Sequence, residues 1–179
     1  MWSVILKKLI MINKISYILI LVFIVSISCK KTYETPDPTV VINEVMPKNT
    51  STAADQNGEY DDWIELFNLT SGTIDLSGYY LSDTKKDVTK WKFPEKTSIA
   101  SNGYLIIWAD NDTLEAGLHA TFKLSASGEE AILSNPQKTV IDKVSFPAQT
   151  LELTYSRVPN GTGDFKWTSP TFNRSNGSK

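Results

Sequence analysis

The sequence has one cysteine, one histidine and two arginines, and each scarcity excludes a class of structure or function. Cys29 has no second cysteine to pair with, so an intramolecular disulfide is excluded. His119 alone cannot build a histidine-rich metal site. No serine lies in a nucleophile-elbow sequence that would use His119 as its base. We therefore predict that His119 is a structural residue at the edge of a loop.

The chain also lacks a glycine-rich phosphate loop and a convincing amphipathic helix. The segment Asn160-Gly161-Thr162-Gly163 is too short for a phosphate loop, and no helix or lysine follows it. It is typical of a hairpin turn.

The most apolar segment lies near the start of the chain and is too short to span a bilayer. Ile15 to Ile27 follow Lys7, Lys8 and Lys14, whereas a spanning helix needs about 20 apolar residues. This layout is typical of a secretory signal over residues 1–28. Met11 begins a shorter leader of the same kind, and we hypothesise that Met11 rather than Met1 is the start.

Cys29 stands where such a signal is cleaved in lipoproteins. Ser26-Ile27-Ser28-Cys29 resembles a lipobox, which predicts a thioether-linked diacylglycerol on Cys29. Each buried methylene contributes about 0.8 kcal/mol, so two or three acyl chains hold a protein firmly on a membrane. The alternative is a free cysteine beside a cleaved or uncleaved signal. Lys30-Lys31 lacks the aspartate that retains some lipoproteins at the inner membrane, which favours an outer membrane.

Removal of the leader makes the chain more acidic. The leader carries three lysines and no acids, so 15 basic residues remain against 20 acidic ones, a formal charge of −5. Binding to nucleic acid depends on lysine and arginine at phosphates. The charge therefore predicts no nucleic-acid partner.

The remaining chain divides into a tether, one domain and a tail. Residues 29–39 contain two prolines and no apolar periodicity, as expected of a lipidated, extended tether. Residues 40–173 suffice for one domain that buries about two-thirds of its unfolded surface. Residues 174–179 form a polar C-terminal tail.

Short strand-like runs separated by turn residues fill this domain and predict an all-β sandwich or barrel. The segment Asp61–Asp83 has two alternating runs joined by a small turn, which predicts a β-hairpin. A second hairpin is predicted around Asn135-Pro136. The predicted strands are Val40–Met46, Trp63–Leu69, Ile74–Leu81, Lys90–Phe93, Gly103–Ala109, Ala120–Leu124, Glu130–Ser134, Thr139–Phe146 and Leu153–Val158.

The aromatic side chains of these runs are predicted to pack mainly in the core. An alternative for Tyr79, Tyr80 or Trp91 is an exposed face that stacks on sugars.

The order of several sequence blocks resembles the lamin tail domain family. They are VVINEVMP at 40–47, WIELFN at 63–68, IDLSGYYLSD at 74–83, and the longer segments 90–112, 119–147 and 155–173. The resemblance implies an immunoglobulin-like β-sandwich, used in secreted bacterial members as an accessory or interaction module. It covers nearly all of the chain after the leader.

Glu44 and Glu65 interrupt the apolar faces of their predicted strands. Two acids on neighbouring strands can form an acid/base pair, as in glycoside hydrolysis. We favour the alternative of a structural buried pair, because a buried charge without a partner is costly. Arg157 is the partner expected for it, and no catalytic residue is assigned.

Two loops carry further candidate sites. Oxygen ligands cluster at Asp55, Asn57, Glu59, Asp61 and Asp62, which gives a candidate calcium site without the EF-hand spacing. A solvated acidic loop is the favoured alternative, so no cofactor is expected. Asp112-Thr113-Leu114 resembles a bacterial O-glycosylation acceptor, with Thr113 as the modified residue.

Together these features predict an exported, lipid-anchored, non-enzymatic protein of the cell envelope. Its membrane contact is the lipid on Cys29, and its ligand is an unidentified envelope protein or glycan. Two alternatives stay open: a small calcium-dependent or carboxylate-based extracellular hydrolase on the same scaffold, and a purely structural envelope lipoprotein.

Overall fold

A computed structural model describes residues 39–149 and 152–177. These residues form eleven strands and no helix, which confirms the all-β prediction. In this part of the chain, no helix has the length and apolarity needed to cross a membrane. The strands are β1 (Val40–Met46), β2 (Trp63–Asn68), β3 (Ile74–Asp75), β4 (Tyr80–Ser82), β5 (Trp91–Lys92), β6 (Ser98–Ile99), β7 (Tyr104–Trp108), β8 (Gly128–Ser134), β9 (Val140–Pro147), β10 (Thr154–Val158) and β11 (Asp164–Thr168).

The strands form two larger antiparallel sheets that enclose one apolar core. The first sheet has the order β11-β10-β1-β2-β7, and the second has the order β5-β4-β8-β9. A small third sheet pairs β3 with β6. β1 contacts both β8 and β9 across the core. This arrangement confirms the predicted immunoglobulin-like sandwich.

Both faces of β2 are buried, so the first sheet must be covered on its outer face as well as on its core face. Ile64 and Leu66 point into the main core, together with Ile42 and Val45 of β1. Trp63, one residue earlier, therefore points to the opposite face. There it packs with Met46 and Trp108 in a second apolar cluster. Another segment of the chain must cover that outer cluster.

The hairpin predicted over Asp61–Asp83 is wrong. β2 pairs with β1 and β7, not with the strand that follows it in sequence. Asn68 explains the difference, because its side-chain amide donates to the carbonyls of Gly72, Ile99 and Ala100. These bonds tie the turn after β2 to β6 and to the loop before β7, and the chain then passes through β3 of the third sheet before it enters the second sheet at β4.

The run Ile74–Leu81, predicted as one strand, divides into β3 and β4 in different sheets. Gly78 lies between them with a φ of +79°, a left-handed conformation that suits glycine and interrupts a strand.

The run Ala120–Leu124 is predicted as a strand, but the structure has only two isolated bridges here: His119, just before the run, with Trp108, and Lys123, within the run, with Asp110. Its alternating residues Ala120, Phe122 and Leu124 are nevertheless buried in the core. The alternation of apolar and polar residues in this run therefore predicts correctly which side chains are buried, but it does not predict strand pairing.

The two turns predicted at Asn135-Pro136 and at residues 160–163 each connect the two strands of a hairpin. β8 and β9 pair along their lengths around Asn135-Pro136, which confirms that hairpin. The turn at residues 160–163 connects β10 to β11, a strand that the sequence analysis missed.

The aromatic prediction holds for the side chains with the greatest burial. Trp91 is 7% exposed and packs edge-on against Phe93, so it offers no free face to a sugar. Tyr79 is partly buried against the core, and Tyr80 is half-buried. The other buried aromatic side chains are Trp63, Phe67, Phe93, Trp108, Phe122 and Phe146.

Arg157 joins the two sheets, and the expectation that it pairs with Glu44 or Glu65 is wrong. Its Nη2 lies 2.9 Å from Oδ1 of Asp142 on β9, and its Nε donates to the Ile42 carbonyl at 2.9 Å. Asp142 Oδ2 accepts the Ile42 N–H at 2.7 Å. Glu44 is in register with Ser156, so Arg157, the next residue, points to the opposite face.

We expect Arg157→Met to lower the free energy of unfolding by about 3 kcal/mol, since it leaves Asp142 partly buried without its cation. Chemical denaturation followed by tryptophan fluorescence measures the loss. Lys143→Met is the matched control, because Lys143 is exposed and next to Asp142. Equal stability of the two variants would contradict a structural role for the Arg157–Asp142 pair.

Candidate functional site

Glu44 and Glu65 lie opposite one another on β1 and β2. Both residues have 0% exposure, on the outer face of the first sheet. A bulge between Ile42 and Glu44 shifts the register of β1 and brings the two glutamates into this pairing. Both glutamates are buried as their strand patterns predict, and the structure brings them together.

The C-terminal strap, residues 171–177, supplies hydrogen bonds to both carboxylates. The Thr171 N–H donates to Glu44 Oε1 at 2.8 Å, and the Thr171 hydroxyl donates to Glu44 Oε2. The Asn173 N–H donates to Glu65 Oε2 at 2.6 Å. Asn43 Nδ2 donates to the remaining oxygen, Glu65 Oε1, at 2.8 Å. All four carboxylate oxygens thus accept a hydrogen bond from the protein.

An aromatic side chain and an asparagine fix the rest of the strap. The Phe172 ring lies 5.2 Å from the Trp63 ring and 5.6 Å from the Trp108 ring, measured between centroids. Asn176 is 9% exposed, and its Nδ2 donates to the carbonyls of Asn43 and Arg157. The packed chain therefore extends beyond Asn173, where the sequence analysis ended the domain.

Burial dominates the electrostatics of the glutamate pair. Desolvation raises the pKa of Glu65 to about 8, and the neighbouring Glu44 adds to the rise, while hydrogen bonds from Asn43 and Asn173 oppose it. Desolvation also raises the pKa of Glu44. Among the described residues, no lysine or arginine forms a salt bridge with either glutamate. The pair therefore holds a proton near neutral pH.

The burial of Glu44 and Glu65 disfavours the interpretation of the two residues as a catalytic acid/base pair. A glycosidase pair must contact the sugar and, in inverting enzymes, a water molecule. Glu44 and Glu65 are fully buried and their oxygens bind the strap, so a substrate cannot reach them while the strap is in place.

The five candidate calcium ligands do not converge. Asp55 Oδ1 instead accepts the N–H groups of Asn57 and Glu59, which closes the loop on itself. Asp62 Oδ1 accepts the Asn49 N–H at 3.3 Å, and desolvation raises the pKa of Asp62 to about 6. Within the described chain, Glu59, Asp61 and Asp62 belong to no group of three metal-ligating side chains.

Asp55 lies instead beside two residues from a distant loop. Asp55, Glu115 and His119 each place one ligand atom within 4.8 Å of the other two. Although burial opposes it, the N–H of Glu59 holds the pKa of Asp55 below its ordinary value. Although a hydrogen bond with Asn57 opposes it, desolvation and Asp55 raise the pKa of Glu115.

His119 is buried and oriented by an aspartate that the sequence analysis did not single out. The Trp108 N–H donates to the Leu118 carbonyl, which holds this segment beside β7. His119 Nδ1 lies 2.5 Å from Asp110 Oδ2, and Nε2 lies 2.8 Å from Gln56 Nε2. Although burial lowers it, Asp110 raises the pKa of His119 above its ordinary value. No hydroxyl among the described residues hydrogen-bonds His119, so these residues contain no Ser–His–Asp triad.

The structure describes one of the two predicted modification sites, Thr113, and not the other, Cys29. Cys29 lies outside the described residues, as do the leader and most of the tether. Thr113 is exposed in the loop after β7, where Asp112 Oδ1 accepts the Leu114 N–H at 3.1 Å.

In a comparison with protein families, residues 34–148 match a family model described as Lamin Tail Domain. The matched region is more than half of the chain and contains β1 to β9. No curated protein matches the chain.

Because the folded pKa of Glu65 lies above its ordinary value of 4.5, the folded state binds an extra proton between about pH 4.5 and pH 8. Its contribution to stability is therefore complete below pH 4.5 and is lost as the pH rises through 8. We expect the free energy of unfolding of the unmodified chain to fall between pH 5 and pH 9. In Glu65→Gln this fall should be smaller by about a few kcal/mol. Denaturant titrations at both pH values measure the difference.

Glu95→Gln is the control for this experiment, since the Glu95 side chain is 79% exposed. It should keep the full pH dependence of the unmodified chain. If Glu65→Gln shows the same slope against pH as Glu95→Gln, Glu65 does not hold the extra proton.

Proposed function

We infer that this chain, which belongs to the lamin tail domain family, is a non-enzymatic binding module tethered by lipid to a cell envelope. The family match over β1 to β9 carries the binding-module part of this proposal. The module would bind an envelope protein or a glycan, and it would do so from the outer membrane.

The internal use of the candidate catalytic groups supports a non-enzymatic role. The oxygens of Glu44 and Glu65 accept hydrogen bonds from the strap and from Asn43. The His119 ring contacts Asp110 and Gln56 rather than a nucleophile. No specific observation favours the alternative of a carboxylate-based hydrolase.

The anchor part of the proposal rests on the lipobox-like segment that ends at Cys29. The tether over residues 29–39 ends where β1 begins at Val40. An extended chain covers about 3 Å per residue, so the tether holds the module within about 3 nm of the bilayer. A partner must therefore lie close to the membrane surface.

Strand edges are one class of surface that such a module offers to a protein. The first sheet ends in β11 and β7, and the second sheet ends in β5 and β9. Along β9, Val140 is 40% exposed, and Lys143 and Ser145 are also exposed. An outermost strand presents backbone hydrogen-bonding groups that can pair with an extended segment of another protein.

The lipid anchor is tested with Cys29→Ala in the native cells. We expect the unmodified chain to take up labelled palmitate and to sediment with membranes. The variant should lose the label and remain in the soluble or secreted fraction, because no acyl chain holds it. Membrane association and labelling that persist in Cys29→Ala would refute the anchor.

The binding function is tested by crosslinking the tagged, full-length lipoprotein in living cells and identifying its neighbours by mass spectrometry. We expect one dominant envelope partner that is lost with Cys29→Ala, which serves as the matched control for proximity. Recovery of only abundant envelope proteins, with no binding in a glycan screen, would favour the structural lipoprotein instead. Hydrolysis of a sugar or phosphoester panel that Glu65→Gln abolishes would support the hydrolase.

A further inference from the structure

The loop after β1 and the loop after β7 meet at a cluster of one imidazole and two carboxylates. Asp55 belongs to the first loop, and Glu115 and His119 belong to the second. One ligand atom from each of the three lies within 4.8 Å of the other two. The fold, rather than local sequence, creates this cluster, because 60 or more residues separate Asp55 from its two neighbours.

The two carboxylates leave buried oxygen atoms without protein partners. Neither Asp55 Oδ2 nor Glu115 Oε2 accepts a hydrogen bond, although both atoms are buried. In the described part of the chain, no lysine or arginine forms a salt bridge with either residue. The nearest basic group is His119, whose Nδ1 lies 3.9 Å from Glu115 Oε2 but is already paired with Asp110. Buried carboxylate oxygens without a hydrogen-bond donor are costly, and a bound cation removes that cost.

His119 has the orientation found in metal-binding histidines. Its side chain is 1% exposed, and its Nδ1 lies 2.5 Å from the Asp110 carboxylate. A carboxylate at Nδ1 fixes the orientation of the ring and favours the tautomer whose Nε2 lone pair can bind a metal. His119 Nε2 lies 2.8 Å from Gln56 Nε2 and 3.2 Å from the Ala116 carbonyl oxygen, and an ion must displace both of these exposed residues.

We propose that Asp55, Glu115 and His119 bind one divalent transition-metal ion, for which Zn²⁺ is the best match. One nitrogen and two oxygen ligands suit Zn²⁺, which is bound in proteins by histidine and carboxylates with four ligands in total. Ca²⁺ requires six to eight oxygen ligands and is a poorer match. Asp110 acts as the positioning residue for His119, and the ion joins the two loops.

Zn²⁺ binding to the chelator-treated, full-length chain in detergent tests the proposal by isothermal titration calorimetry. We expect one equivalent to bind, and Glu115→Gln and Asp55→Asn each to weaken binding at least about ten-fold. Asp55→Asn keeps the oxygen that accepts the loop amides, so it preserves the loop. Asp110→Asn should weaken binding by about 10- to 100-fold, as expected when the group that orients a ligand is altered.

Glu59→Gln is the matched control, because Glu59 is an exposed acid of the same loop that lies outside the cluster. It should bind Zn²⁺ as tightly as the unmodified chain. Co²⁺ substitution provides a second measurement, since its visible spectrum reports the coordination number, and the intense bands of four-coordinate Co²⁺ should be lost in His119→Gln. Thermal melting establishes whether each variant is folded. If Glu115→Gln does not fold, the affinity of Asp55→Asn for Zn²⁺ decides the result.

Three results would overturn the proposal. The first is no Zn²⁺ binding to the unmodified chain. The second is equal affinity in the unmodified chain, Asp55→Asn and Glu115→Gln. The third is Ca²⁺ binding that Glu59→Gln abolishes, which would assign the ion to the acidic loop alone. None of these results bears on the lipid anchor or on the envelope partner.

Discussion

The first sheet depends on covering a face that is both apolar and acidic. On this face, Glu44 and Glu65 are fully buried beside the cluster of Met46, Trp63 and Trp108. Water cannot solvate the two carboxylates there, and no basic side chain of the described chain pairs with them. The strap meets both needs, since its N–H groups bind the carboxylates and Phe172 packs on the tryptophans. Backbone donors thus replace the ion pair that such acids would otherwise require.

Sequence patterns predicted the parts of this fold that depend on local chemistry. The strands β1, β2 and β8, the turn at Asn135-Pro136 and the burial of the large aromatics follow from alternation and turn residues. Alternation reports which side chains are buried, but it does not identify the strand that pairs with a run. Ile74–Leu81 shows this limit, because its two ends join different sheets.

The sequence pattern did not predict the contacts between residues that are far apart in the chain. It paired Arg157 with the glutamates, although the strand register places Arg157 on the other face, beside Asp142. It grouped the acids of residues 55–62 by proximity in sequence, whereas Asp55 meets Glu115 and His119. Glu152 is a further example, because it accepts the N–H groups of Thr50, Ser51 and Thr52 from about 100 positions away. No local pattern marks such a contact.

The strap also limits where a partner can bind. With the outer face of the first sheet covered, the described module has three surfaces left: its loops, its sheet edges and the outer face of the second sheet. On that last face, the strand register places Tyr80 beside Lys92, and the exposed Lys143 beside Ile132, which is 1% exposed. The accessible side chains of these pairs are therefore Tyr80, Lys92 and Lys143. These side chains mix polar, cationic and aromatic character, which suits a polar ligand better than an apolar one. A partner would therefore meet loops, edges or this face, and the glutamates of the first sheet would contribute through stability alone.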